Sequence, residues 1–202
     1  MTPPSLVCVV DDEASIRRSL VRLLSSAGYP AEAFASARDY LARPVHPGPS
    51  CLVLDVLMPE RTGLDLQRAL IDSGRDEPVV FITGDGGIPA SVQAMKAGAV
   101  DFLPKPFQDD QFLDAVERAL ARSRARCKAR AERDDARARL SALSVRERQV
   151  FDHVIAGKMN KEIAAELGTS MPTVKVQRSQ VMKKAGVQSV ADLVRLARVA
   201  GL

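Results

Sequence analysis

The chain has 202 residues, of which 46% are hydrophobic and 27% charged, with a formal net charge of +4. This length is enough for two small domains, and the hydrophobic content argues against a disordered chain. Three cysteines without a C-x-x-C pair argue against a disulfide scaffold or a zinc site, and the absence of an apolar run of about 18 residues argues against a membrane span.

Five short apolar runs in the first 120 residues alternate with helical patterns. In chain order they are LVCVV (6–10), AEAF (31–34), CLVLD (51–55), PVVFIT (78–83) and DFLP (101–104). Strands that alternate with helices form a parallel sheet covered on both faces. Residues 1–120 are therefore predicted to form a flavodoxin-like, doubly wound α/β domain with five strands. The reactive site of such a domain lies beyond the carboxyl ends of its strands.

Residues 121–140 are predicted to form a helical connector. They contain eight basic residues, abundant alanine and neither glycine nor proline, so the preceding helix can continue through them. The apolar positions are too sparse to form a continuous face for pairing with another helix, which favours a charged helix surrounded by water. Pairing of two such helices in a dimer remains an open alternative.

From residue 141 the chain changes to short helices with clear start signals. Ser144 is followed by a glutamate three residues later, which is a capping box. Asn160 and Ser170 are each placed to cap a further helix, and a last helix is predicted to begin at Ser189. Four short helices, the second and third separated by a tight turn, predict an all-α helix-turn-helix domain over residues 141–202.

The charge of the chain is distributed unevenly between these regions. Residues 1–120 contain 11 basic and 17 acidic side chains, a net charge of −6. Residues 121–202 contain 18 basic and 8 acidic side chains, a net charge of +10. A basic region of this size predicts a polyanionic partner.

Carboxylates follow two of the predicted strands. Asp11 and Asp12 come directly after the first strand, and Asp55 ends the third. Two carboxylates about 4 Å apart repel by roughly 4 kcal/mol at an effective dielectric constant of about 20, so such a cluster needs a compensating positive charge. Hard oxygen ligands of this kind suit Mg²⁺. Thr83 and Lys105 follow the fourth and fifth strands and supply groups that bind phosphoryl oxygens.

The N-terminal part of the chain resembles a response-regulator receiver domain. The resemblance rests on VVDDE, LVLDVLMPERTG, FITG and AMKAGAVDFLPKPF, which occur in order at the intervals usual for that family. It implies that Asp55 is the phosphoacceptor. It also implies Mg²⁺ ligation by Asp12, Asp55 and the backbone carbonyl of Leu57, with Asp11 acting through water.

The same resemblance assigns the remaining positions of the site. Thr83 and Lys105 are implied to contact the phosphoryl group, and Phe102 to be the aromatic switch residue. A cis peptide bond is implied between Lys105 and Pro106.

The C-terminal part resembles the LuxR-type helix-turn-helix domains through LSVRE, NKEIA, SMPTVK and KKAGV. The resemblance departs at Gln177, where the family usually has histidine, and at Ala185, where leucine is frequent. Residues on the predicted recognition helix are candidates for DNA contact, with Lys161 on the preceding helix. Base-edge contacts are implied for Lys175, Val176 and Ser179; phosphate contacts are assigned to Lys161, Arg178 and Lys183; Thr173 and Gln177 complete the candidate DNA face.

Together the two resemblances imply a FixJ-like two-component response regulator. A sensor histidine kinase would phosphorylate Asp55, and the phosphorylated protein would dimerise on promoter DNA with two half-sites. Transcriptional activation, a contact with RNA polymerase and a cytoplasmic location without a membrane partner are further implications. The protein would not be an enzyme, apart from its own phosphoryl transfer and dephosphorylation.

Two other functions are compatible with part of the sequence. A Mg²⁺-dependent phosphohydrolase would also use paired carboxylates and a lysine, but it leaves the basic C-terminal region without a role. A constitutive DNA-binding protein would keep its receiver only as a structural dimerisation module. The complete acidic set disfavours this second alternative.

Overall fold

The computed structural model describes residues 3–84 and 88–202, with side chains described outside residues 88–90. The chain divides into two compact units, Met1–Cys127 and Lys128–Leu202. Among the described helices none is both long enough and apolar enough to cross a membrane.

The first unit is built on a five-stranded parallel sheet in the order β2-β1-β3-β4-β5. The strands are β1 Leu6–Val10, β2 Ala31–Phe34, β3 Ser50–Asp55, β4 Val79–Thr83 and β5 Asp101–Pro104. The helices are α1 Ala14–Ser26, α2 Ala37–Ala42, α3 Gly63–Asp72, α4 Ile88–Lys96 and α5 Asp109–Ser141. The predicted doubly wound α/β fold is confirmed, as is the helical character of residues 121–140.

Both faces of the sheet are covered, which explains the unbroken apolar runs in the sequence. Cys8 and Val10 of β1 pack into one core with Tyr40 of α2. Val7 of β1 packs into a second core on the other face, with Phe112 of α5. A strand buried on both sides needs apolar residues at every position instead of at alternate ones.

Helix α5 is anchored to the first unit beyond the predicted domain end at residue 120. The buried hydroxyl of Ser123 accepts a hydrogen bond of 2.9 Å from the backbone N–H of Ser50, the first residue of β3. Arg126 donates to the backbone carbonyl of Asp76. If a buried backbone N–H loses its acceptor, no hydrogen bond offsets the free energy needed to remove that N–H from water.

Replacing Ser123 with alanine is therefore expected to lower the free energy of unfolding of the first unit by about 1–3 kcal/mol. Urea denaturation followed by tyrosine fluorescence measures this unit alone, because Tyr29 and Tyr40 are the only tyrosines and the chain has no tryptophan. Ser141→Ala is the control, since that exposed hydroxyl donates to the carbonyl of Ala138 in its own helix. Equal midpoints for both variants would contradict the prediction.

The second unit is helical, and the end of α5 contributes to its core. Ala136 and Leu140 are buried against α6, α7, α8 and α9. These helices comprise α6 Val145–Ile155, α7 Asn160–Glu166, α8 Met171–Ala185 and α9 Val190–Ala200. The predicted four-helix domain is confirmed, with the last turns of α5 packed into it.

Two of the three predicted caps are present. Ser144 forms the capping box with Glu147, and Ser170 accepts a backbone N–H at the start of α8. Ser189, the predicted start of the last helix, is the residue that caps α9. The prediction that Asn160 caps α7 is wrong, because α7 already begins at Asn160. The preceding residue has no capping side chain, but its N–H is bound by a glutamate carboxylate of the first turn, at 2.7 Å. The Asn160 side chain is consequently available for another contact.

Candidate functional site

The carboxyl ends of β1 and β3 bring three aspartates together. β1 and β3 are neighbours in the sheet, so Asp11 and Asp12, which follow β1, lie beside Asp55, the last residue of β3. One carboxylate oxygen from each residue lies within 4.8 Å of the other two. Asp11 and Asp55 are buried, whereas Asp12 is exposed. The cluster therefore has one side open to water.

Lys105, just after β5, offsets part of the negative charge. Its Nζ donates to Oδ2 of Asp11 and to Oδ2 of Asp55, at 2.9 Å in each case. Burial raises the pKa of the Asp55 carboxyl and outweighs the lowering by Lys105. Burial by itself lowers the pKa of Lys105, but its hydrogen bonds to Asp11 and Asp55 raise it overall. By formal charge, the three carboxylates and the one ammonium group sum to −2.

Backbone contacts fix the orientation of the two buried carboxylates. Oδ1 of Asp11 accepts the N–H of Glu13 at 2.7 Å, and Oδ1 of Asp55 accepts the N–H of Leu57 at 3.1 Å. Arg17 of α1 also donates to the backbone carbonyl of Asp11, at 2.6 Å. Sequence reasoning did not identify Arg17, because nothing in the pattern of α1 distinguishes it from a solvated arginine.

Gly63, the first residue of α3, is a second residue that the sequence analysis did not identify. Its N–H donates to the carbonyl of Val56 at 3.0 Å, which holds the start of α3 against the end of β3. A Cβ atom at this position would lie 2.2 Å from the carbonyl oxygen of Asp55. Only glycine permits this approach without displacing the backbone of Asp55.

The other receiver positions belong to β4, β5 and the segments that follow β3 and β5. Thr83 ends β4, the strand next to β3, and is fully buried; its Oγ1 has no hydrogen-bond partner among the described residues. Phe102 of β5 is half-buried, with its ring centroid 6.2 Å from that of Phe81. Leu57 is 53% exposed, and the peptide bond between Lys105 and Pro106 is cis, as the resemblance implied.

The donor set fits Mg²⁺. All three side chains offer carboxylate oxygens, the formal charge is negative, and the exposed Asp12 leaves room for water ligands. The buried hydroxyl of Thr83 has no partner within residues 3–84 and 91–202, which indicates that a polar ligand also belongs at this edge of the sheet. An acidic pocket compatible with Mg²⁺ is thus present in the described part of the chain.

In the second unit, α8 separates a buried face from an exposed one. Val174, Val181 and Ala185 are buried in the helical core. Lys175, Val176, Ser179 and Lys183 are exposed, and 61% of the Val176 surface is accessible. An exposed valine among polar residues offers an apolar contact to a ligand.

The remaining DNA-contact candidates differ in their surroundings. Lys161 of α7 is exposed. The Thr173 hydroxyl lies 2.8 Å from the Ser170 hydroxyl, within the cap of α8. Gln177 is half-buried, and its Oε1 has no hydrogen-bond partner among the described residues. Arg178 is half-buried and donates to Oδ1 of Asn160 at 2.8 Å.

Lys184, which the sequence analysis did not assign, follows Lys183 in the chain and has a partner within the second unit. Its Nζ donates to Oε2 of Glu147 at 2.6 Å, which links the end of α8 to the start of α6. This hydrogen bond, together with the N–H of Ser144, lowers the pKa of the Glu147 carboxyl.

Comparisons with known proteins support the interpretation of both the acidic cluster in the first unit and α8 in the second unit. Residues 7–117 match the response regulator receiver domain, and residues 141–197 match the bacterial regulatory proteins of the luxR family. Nodulation protein W of Bradyrhizobium diazoefficiens is 46% identical over 98% of this chain and 87% of its own. The transcriptional regulatory protein FixJ of the same organism is 42% identical over 100% of this chain and 98% of its own.

A solved structure agrees as well. The response regulator StyR has a TM-score of 0.87 and 45% sequence identity, with 97% of this chain and 99% of that chain covered. The matches span the receiver and the helix-turn-helix domain in the same order as here. The chain belongs to the FixJ-like response regulators, in which a receiver domain is followed by a LuxR-type DNA-binding domain.

Proposed function

We propose that this response regulator controls transcription through phosphorylation of Asp55 by a sensor histidine kinase. The observation that carries the proposal is the position of Asp55: its carboxylate lies 2.9 Å from Lys105 Nζ and beside Asp11 and Asp12. A carboxylate held next to an ammonium group, with one side of the cluster open to solvent, is placed to act as a nucleophile.

The chemistry requires mainly positioning and charge. A carboxylate oxygen of Asp55 attacks the phosphorus of a phosphohistidine; the O–P bond forms as the N–P bond breaks, and the imidazole keeps the electron pair and takes up a proton from water. Lys105 stabilises the transferring group. Asp12, Asp55 and the Leu57 carbonyl would hold a Mg²⁺ ion, with Asp11 acting through water, and the ion would supply further positive charge. Beyond this transfer and the later hydrolysis of its own acyl phosphate, the protein catalyses no reaction.

Phosphorylation of Asp55 changes the positions of side chains on the neighbouring strands β4 and β5. The Thr83 hydroxyl, buried and without a partner among the described residues, donates to a phosphoryl oxygen on Asp55. When the Thr83 side chain moves, it leaves space beside β5. The ring of Phe102, which is half-buried in the structure, enters this space. Phosphorylation thus changes the surface near β5 and favours a homodimer.

The dimer places two copies of α8 in the major grooves of promoter DNA with paired half-sites. Lys175, Val176 and Ser179 contact base edges, and Lys161 and Lys183 contact phosphates; these side chains are exposed in the structure. The protein acts in the cytoplasm, where both the kinase and the chromosome are accessible, as an activator that contacts RNA polymerase.

The test compares DNA binding with and without phosphorylation. The phosphorylated wild type first selects duplexes from a random pool, and gel-shift titrations then use the enriched duplex with two half-sites or with one. Acetyl phosphate and Mg²⁺ are expected to tighten binding to paired half-sites about tenfold or more, because a dimer binds both at once, and to change single-site binding little. Asp55→Asn is the control and is expected to show no response to acetyl phosphate.

Three outcomes would contradict the proposal. Equal affinity before and after phosphorylation would favour the receiver as a purely structural module. Repeated turnover of small phosphoesters would favour a phosphohydrolase. Borohydride trapping followed by mass spectrometry that places the label on Asp11 or Asp12 would exclude Asp55 as the phosphoacceptor.

A further inference from the structure

Arg178 lies on the protein-facing side of α8. It follows Val174 by four residues and precedes Val181 by three, and both valines are fully buried. At about 100° per residue, Arg178 lies about 40° from Val174 around the helix axis. Lys183, five residues further on, lies about 140° from Arg178 by the same arithmetic. A side chain so placed does not share the exposed face of Lys183.

The guanidinium of Arg178 has a partner within the second unit. Its Nη1 donates to Oδ1 of Asn160 at 2.8 Å, in a partly buried contact between residues 18 positions apart. Asn160 is the first residue of α7, and Arg178 lies in the middle of α8. The hydrogen bond therefore joins the two helices of the helix-turn-helix. Asn160 is free to accept it because the carboxylate of Glu162 binds the N–H that precedes α7.

We propose that Arg178 is a positioning residue for DNA recognition and makes no phosphate contact. Through Asn160 it fixes α8 relative to α7, and so fixes where Val176 and Ser179 meet the base edges. This inference replaces the phosphate contact that the sequence analysis assigned to Arg178, and it rests on the proposed DNA-binding function.

The two roles differ in what they do to binding. A lost phosphate contact weakens binding to all sequences alike and lowers the slope of log K against log salt by about 0.9. A misplaced recognition helix weakens binding to the selected duplex and leaves the slope and the binding to unrelated DNA unchanged. If Arg178 only stabilised the domain, a folded variant would keep the wild-type ratio of specific to nonspecific affinity. A change in this ratio therefore distinguishes a positioning role from a stabilising one.

The experiment uses the full chain with Arg178→Met, which keeps the aliphatic volume, and with Asn160→Ala, which removes no charge. The probes are the duplex enriched by the wild type and a shuffled duplex of equal length, titrated at two or more salt concentrations. For each variant the specificity ratio is expected to fall on the order of tenfold, because a hydrogen bond to a charged group is lost, with the salt slope unchanged. The double variant is expected to lose no more than either single variant.

Lys183→Ala is the charge-matched control on the exposed face. It is expected to lower the salt slope by about 0.9 and to leave the specificity ratio unchanged. Asn160→Asp keeps the acceptor and is expected to retain a ratio near that of the wild type. If Arg178→Met does not fold, judged by its circular-dichroism melt, the Asn160→Ala and Asn160→Asp pair decides the question.

The inference is overturned if Arg178→Met lowers the salt slope as Lys183→Ala does. It is also overturned if Asn160→Ala keeps the wild-type specificity ratio. A wild type that enriches no duplex sequence overturns the proposed function itself and this inference with it, and that result is recognisable before any variant is made.

Discussion

Gly63→Ala is expected to lower the rate of Asp55 phosphorylation by about 100-fold, although residue 63 does not take part in the chemistry. The new Cβ would lie 2.2 Å from the carbonyl oxygen of Asp55, a distance that real contacts do not allow. Because the obstructing atom belongs to the backbone, either β3 or the start of α3 must move by about 1 Å. A misplacement of that size at a reacting group costs about 100-fold in rate.

The rate is measured with acetyl phosphate and Mg²⁺, by borohydride trapping over time. Gly28→Ala is the control: Gly28 also adopts a glycine-type conformation, with φ of +83°, but a Cβ there would meet nothing within 4 Å. That variant is expected to lose about 1 kcal/mol of stability and to be phosphorylated normally. Normal phosphorylation of Gly63→Ala would show that the end of β3 tolerates displacement.

Lys105→Ala is expected to lower the free energy of unfolding of the receiver by about 3–5 kcal/mol in buffer containing EDTA. Lys105 donates hydrogen bonds to both buried aspartates, so its removal takes away the cation that the Asp11 and Asp55 carboxylates share. Urea denaturation followed by tyrosine fluorescence measures the loss. Addition of Mg²⁺ is expected to restore part of it, since a bound cation compensates the same carboxylates.

Asp12→Ala is the matched variant with the opposite expected sign. Asp12 is exposed, and its removal relieves repulsion within the cluster, so stability in EDTA should stay equal or rise slightly. Mg²⁺ should then stabilise the wild type but not Asp12→Ala. If Asp12→Ala loses several kcal/mol in EDTA, Asp12 has a structural role; if Lys105→Ala loses nothing, the two buried aspartates do not depend on Lys105.

The sequence predicted the fold almost completely, for a physical reason. Strands buried on both faces produce unbroken apolar runs, and the residues that follow them mark the reactive edge of a parallel sheet. Asp11, Asp12 and Asp55 could therefore be placed together before any coordinates. Their roles in metal binding and phosphorylation remain predictions, as do the DNA contacts of α8.

Other contacts left no periodic signal in the sequence. Ser123 and Ser50 are 73 residues apart, and Arg178 and Asn160 are 18 apart. Each contact joins two elements whose relative placement is set by the whole unit. Asn160 was misassigned for a related reason: asparagine is a frequent cap, and the sequence does not say that a glutamate binds the preceding N–H instead.

Helix α5 constrains how such a protein can be recombined with its relatives. Its Phe112 and Ser123 belong to the receiver, whereas its Ala136 and Leu140 belong to the core of the DNA-binding domain. The border between the modules therefore lies inside a helix and not in a loop. A hybrid that exchanges either domain keeps both cores complete only if its crossover falls between Arg126 and Ala136 and adds no helix-breaking residue.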